Sequence, residues 1–142
     1  EWDTCQTIYY KISLVMKQSL TKLIPKIFQN DFSRIPQKGE ASFYPKRTPE
    51  DGKISWNKTT FEIHNLIKAV TKPYPGAFSF IHKQKIMFWK AQPFDTKIDF
   101  LDAKIGQVVE KFSTGDFVVK CKVGLILITD YDGEVNTGDI LI

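Results

Sequence analysis

His64 and His82 are the only two histidines in the 142 residues, and neither stands where histidine chemistry is usually built. No cysteine, aspartate or glutamate falls at a metal-ligand spacing from either one, and Glu62 lies two residues from His64, which rules out a helical i, i+4 ligand pair. The sequence therefore assigns no metal site. Serine, histidine and aspartate occur without a nucleophile elbow, and no glycine-rich phosphate loop is present, so no catalytic residue is assigned either. Cys5 and Cys121 are the only cysteines. They are far apart and lack a C-x-x-C pattern, so they read as two buried reduced thiols, an expectation that places the protein in the cytoplasm. Asn57-Lys58-Thr59 matches a glycosylation acceptor, a pattern too short to carry weight.

The elements that must position any site follow from periodicity. Asp3-Thr4-Cys5-Gln6 reads as a helix start capped by Asp3, and Ile8, Ile12, Val15, Leu20, Leu23, Ile24 and Ile27 continue at helical spacing. One face of that helix must be buried against something. Pro25 should kink it or mark its last turn. The next residues are polar and broken by Pro36, Gly39 and Pro45, with Ala41-Ser42-Phe43-Tyr44 as a candidate short strand. A turn-rich boundary follows, and the domain border is set there: 1–47 and 48–142. Thr59-Thr60-Phe61-Glu62 is a capping box opening a short helix with Ile63, Leu66, Ile67 and Val70 as its stripe, and Pro73 stops it. Trp56 and Phe61 are expected to pack beneath that helix.

Beyond the Pro73-Tyr74-Pro75-Gly76 turn the period changes to two. Strands are predicted over 77–81, 85–90, 106–112, 116–122 and 125–129, and five or six short strands suggest a small barrel. Hydrophobic content is 42% and aromatic content 13%, which argues for a packed core rather than disorder. No apolar run approaches a bilayer-crossing length, so no membrane partner is expected. The net charge is +4. It is lopsided, with 17 basic and 10 acidic residues over 1–104 against 3 and 6 over 105–142. That suits an anionic partner, although the lysines are scattered and form no dense patch.

Several pieces in order resemble one family. The run Tyr44-Pro45-Lys46-Arg47-Thr48-Pro49-Glu50-Asp51-Gly52-Lys53-Ile54-Ser55-Trp56, then His64-Asn65 in a helix, Pro73-Tyr74-Pro75-Gly76-Ala77-Phe78, and the strands Ile105-Gly106-Gln107-Val108-Val109 and Gly124-Leu125-Ile126-Leu127-Ile128 are similar to the back half of the 10-formyltetrahydrofolate-dependent formyltransferases. The resemblance implies an α+β fold: a long N-terminal helix that is the tail of a Rossmann-like catalytic domain, joined to a small open β-barrel of OB-like type with one short helix. It implies transfer of a formyl group from 10-formyltetrahydrofolate, bound by an N-terminal domain missing here, to the amine of a nucleotide-linked amino sugar. The catalytic Asn, His and Asp of that family have no counterpart in this sequence, so the segment alone is expected to be inactive.

Within that resemblance Tyr44, Lys46 and Arg47 stand at the domain junction, where relatives hold the nucleotide end of the substrate. A guanidinium grips a diphosphate through two parallel hydrogen bonds, and a tyrosine ring stacks on a base. Arg47 favours the sugar enzymes, because methionyl-tRNA formyltransferases more often carry an apolar residue there. The alternatives are a methionyl-tRNA formyltransferase whose barrel holds tRNA, and a non-enzymatic binding or homodimerisation module. Trp56, His64, Asn65, Pro75 and Gly76 are expected to serve structure.

Overall fold

The computed structural model describes residues 2–142. The chain divides into two compact units: Thr7–Arg47, and Thr48–Ile142 together with the first six residues.

The first unit is dominated by helix α1, Cys5–Phe28, which runs through Pro25 in its last turn. It ends where Asn30 adopts a left-handed φ of 55°. The Asp31 N–H donates to the Lys26 carbonyl at 2.9 Å and the Asn30 N–H to the Ile27 carbonyl at 3.1 Å, a Schellman closure that satisfies the orphan carbonyls of the final turn. The apolar stripe read from the sequence is present, yet no residue of α1 is buried. Residues 29–47 that follow are irregular and exposed. The strand expected at Ala41-Ser42-Phe43-Tyr44 does not form, since a strand needs a ladder partner for its N–H and C=O groups.

The second unit is a five-stranded antiparallel sheet packed under helix α2, Thr60–Val70. The strands are β1 (Ala77–Ile81), β2 (Gln84–Asp95), β3 (Val108–Lys111), β4 (Phe117–Lys120) and β5 (Leu125–Asp132), in the spatial order β1-β2-β5-β4-β3. Isolated bridges at Ile81–Leu141 and Gln107–Ile140 link the chain end to β1 and to the approach to β3. These are single bridges rather than a strand, and the sheet is not a closed barrel. The capping box of α2 is intact: Glu62 accepts from the Thr59 N–H at 2.9 Å and from its hydroxyl at 2.7 Å. Ile63, Ile67 and Val70 bury the inner stripe. Phe61, expected beneath the helix, is 57% exposed, because it lies off the stripe that faces the sheet.

Ile54, Trp56, Ile86, Phe88, Val108, Phe117, Val119, Ile126 and Ile128 build the main core with α2. Residues alternate faces along a strand, so Val118 and Leu127, which lie between core residues of β4 and β5, and Leu125, two before Leu127, point outward. Val118 and Leu125 are nonetheless each 1% exposed, so the outer face carries a second, smaller apolar cluster. The loop 96–105 is fastened on that side: Asp95 Oδ1 accepts from the Lys97 and Ile98 N–H groups, each at 2.6 Å. Lys120 Nζ reaches the Asp99 carboxylate at 2.8 Å and the Phe100 carbonyl at 2.6 Å.

Both cysteines are free thiols. Cys121 is buried, and the loss of solvent pushes its pKa up to about 11. Cys5 departs from the expectation, being half-buried, with its thiol donating to the Thr71 carbonyl at 3.1 Å. Among the described residues no helix is long and apolar enough to cross a membrane.

Candidate functional site

Tyr44, Lys46 and Arg47 lie in the irregular stretch that closes the first unit, all three exposed and Tyr44 at 89%. Among the described residues none has a hydrogen-bond or ion-pair partner, so the two cations are not neutralised by a neighbouring carboxylate. The sequence placed them close together in the chain. The structure assigns them no shared contact.

The second unit shows what the rest of the motif builds. Residues Pro49–Gly52 form one turn of 3-10 helix in which the Thr48 N–H and hydroxyl both donate to Asp51 Oδ2, at 2.6 and 3.2 Å. That turn delivers Gly52 against the Gly76 carbonyl, so closely that an added Cβ would sit 2.4 Å from the oxygen. Gly76 in turn has a φ of 93°, and its Cβ would meet the Trp89 ring at 2.6 Å. Both positions require glycine for space, and Gly76 also for its backbone angle. Immediately after, the Ile54 N–H donates to the Phe78 carbonyl at 2.8 Å. The Trp56 indole N–H donates to Ser79 Oγ at 3.0 Å, and the Ser79 hydroxyl in turn donates to the Ile142 carbonyl at 2.9 Å. Trp56 and Gly76 therefore belong to one lock that fastens the 51–56 stretch along β1. Pro75, next to Gly76, is exposed.

His64 and Asn65 sit on α2, His64 half-buried and Asn65 exposed. Neither histidine makes a hydrogen bond or ion pair among the described residues, so the structure contains no acid–base dyad there. Burial first, and the Lys68 ammonium one turn on second, hold the His64 imidazole below its ordinary pKa of 6.5. The unfolded chain then binds more protons than the folded one just below that value, so the contribution is present above it and lost as pH falls. The denaturation midpoint should drop between neutral pH and about pH 5.5, and His64→Gln should flatten that slope. A wild-type midpoint constant over this range would sink the assignment. The depressed carboxylates of Glu62 and Asp95 act only at lower pH.

Sequence reasoning missed three working contacts. Ser79 as the relay beneath Trp56 had no signal, being a serine inside an apolar strand. Thr60, fully buried, gives its hydroxyl to the Val123 carbonyl at 2.9 Å. The Thr48–Asp51 cap was readable from its three-residue spacing. A shallow depression of about 440 Å3 also opens between the 53–57 stretch and the Leu141-Ile142 end. No group of three histidine, cysteine or acidic side chains comes together for a metal among the described residues.

Comparison with solved structures gives the fold a context. The chain resembles HypX from Aquifex aeolicus: against one multiply substituted variant the TM-score is 0.69 at 19% identity, covering 100% of this chain and 25% of that one. Against HypX in complex with tetrahydrofolic acid it is 0.59 at 20% identity, covering 88% and 21%. The chain thus spans a quarter or less of the length of these proteins. The family described as formyl transferase, C-terminal domain, matches residues 46–135, more than half of the chain and all of the lock around Gly52, Trp56 and Gly76, and to that family the chain belongs.

Proposed function

We propose that this chain is the C-terminal part of an N-formyltransferase that moves a formyl group from 10-formyltetrahydrofolate to the amine of a nucleotide-linked amino sugar. Residues 1–47 complete the catalytic domain, and 48–142 form the OB-like C-terminal domain, in a cytoplasmic protein. In the reaction the acceptor amine attacks the formyl carbon, the bond from that carbon to the folate nitrogen breaks, and the proton the amine sheds is balanced by one taken up at that folate nitrogen. None of those events needs a group in this chain. Its share is scaffold and grip: Arg47 takes the diphosphate by two parallel bonds, Lys46 adds charge, and Tyr44 stacks on the base. The observation that carries the reading is the family match beginning at Lys46, beside two cations that have no partner of their own.

Charge favours the sugar over tRNA as acceptor. Thr48–Ile142 holds twelve basic and twelve acidic residues, a neutral balance that gives a polyphosphate little to bind. The test is formyl transfer by the intact enzyme, upstream catalytic domain included, to UDP- and dTDP-linked amino sugars. Arg47→Ala should raise KM by about tenfold or more with a smaller change in kcat, the scale of one charge-assisted contact. Unchanged KM would remove Arg47 from the site. A salt-dependent gel shift with tRNA, with no sugar turnover, would replace the sugar by tRNA.

A further inference from the structure

Arg47 is bonded to the residue that opens a capped turn. The Thr48 N–H donates to Asp51 Oδ2 at 2.6 Å, and the Thr48 hydroxyl reaches the same oxygen at 3.2 Å. Thr48 is extended, with φ −113° and ψ 165°, as the Pro49 that follows requires. The rest of the turn is tied to the sheet. The Lys53 N–H donates to the Glu50 carbonyl at 3.0 Å, Gly52 abuts the Gly76 carbonyl, and the Ile54 N–H donates to the Phe78 carbonyl on β1. A peptide group is planar, so holding the Thr48 N–H holds the bond through which Arg47 is attached. Among the described residues Asp51 pairs with this backbone and not with the Arg47 guanidinium four residues before it.

We infer, on the reading that Arg47 grips a diphosphate, that Asp51 is its positioning residue: the carboxylate fixes the root of a side chain with which it makes no bond. The effect works through entropy. Backbone that is ordered before the substrate arrives need not be ordered by it, whereas each residue that binding must immobilise weakens the association. The sign of the effect separates this role from a direct one. A carboxylate so near a bound diphosphate repels it, so removing the charge would by itself tighten binding. Removing a positioning bond weakens it.

The experiment is formyl transfer by the intact enzyme to a UDP- or dTDP-linked amino sugar, reading KM against kcat. Asp51→Ala should raise KM about five- to tenfold with kcat changed by less than about twofold. Asp51→Asn keeps an oxygen that can accept from the Thr48 N–H while losing the charge, and it should recover most of that loss. The double variant Arg47→Ala/Asp51→Ala should match Arg47→Ala alone within about twofold, because a residue that acts only through another has no effect once the other is gone. Asp51 and Arg47 are both exposed, so each variant should keep the wild-type circular dichroism. If Arg47→Ala raises KM and Asp51→Ala leaves it unchanged or lowers it, the grip stands and the positioning role is overturned. Effects that multiply in the double variant overturn it as well. An unchanged KM for Arg47→Ala removes the grip itself, and the role of Asp51 falls with it.

Discussion

Trp56→Ala is expected to destabilise the protein by about 3–5 kcal/mol, the cost of emptying a large aromatic site in a core. Trp56 is 4% exposed, and its ring meets Phe88 edge to face at 5.9 Å and 83°. The loss is compounded by what the indole supports. Ser79 would lose the donor that satisfies its oxygen, while its own proton stays committed to the Ile142 carbonyl. Domains of this size are stable by roughly 5–15 kcal/mol, so this substitution should remove a large share of the margin. Trp56→Phe separates the two effects, since it keeps much of the volume but drops the hydrogen bond, and should recover more than half of the loss. Urea unfolding followed by circular dichroism measures both. A shift below about 1 kcal/mol for the alanine variant would mean that the ring is not part of the core.

Gly52→Ala should cost about 2–3 kcal/mol, at the upper end for one inserted methyl group. The reason is the neighbour it meets. The added carbon would lie 2.4 Å from the Gly76 carbonyl oxygen, a backbone atom that cannot rotate away. Relief requires moving the 3-10 turn or the start of β1, and either movement strains the hydrogen bond from Ile54 to Phe78. Gly115→Ala is the control: no atom lies within 4 Å of its added carbon, so only its φ of 95° is penalised, at about 1 kcal/mol. Thermal unfolding of the pair should show the larger drop for Gly52. Equal drops would mean that the contact with Gly76 has no weight of its own.

What could be read from the sequence was mostly what is local. Thr59 and Glu62 meet across one turn, and their helix formed as the capping pattern predicts. The β1–β2 hairpin was legible for the same reason, its two-residue turn at His82 and Lys83 joining adjacent runs. Long-range pairing was not legible. β2 continues past Lys90 to Asp95 because β5 lies alongside it, and its register shifts let it carry Pro93. Ala41-Ser42-Phe43-Tyr44 has strand-like composition and no such neighbour, so it stays irregular. Phe61 failed for a different reason, since a helix near its start can carry an aromatic side chain away from the sheet at no cost to its stripe. In the candidate site, the roles of Trp56 and Gly76 came from a resemblance rather than from spacing. The contact that explains them, Gly52 against the Gly76 carbonyl, joins residues twenty-four positions apart and leaves no mark in either local sequence.

The apolar cluster on the outer face has one more effect. With Val118 and Leu125 covered on one side and Phe117, Val119, Ile126 and Ile128 on the other, residues 117–119 of β4 and 125–128 of β5 have no side where a polar residue is harmless. Most two-layer sheets leave evolution a wet face on which to vary freely. Those stretches have lost that freedom, and the unbroken Leu125-Ile126-Leu127-Ile128 run is how the constraint is written in the chain.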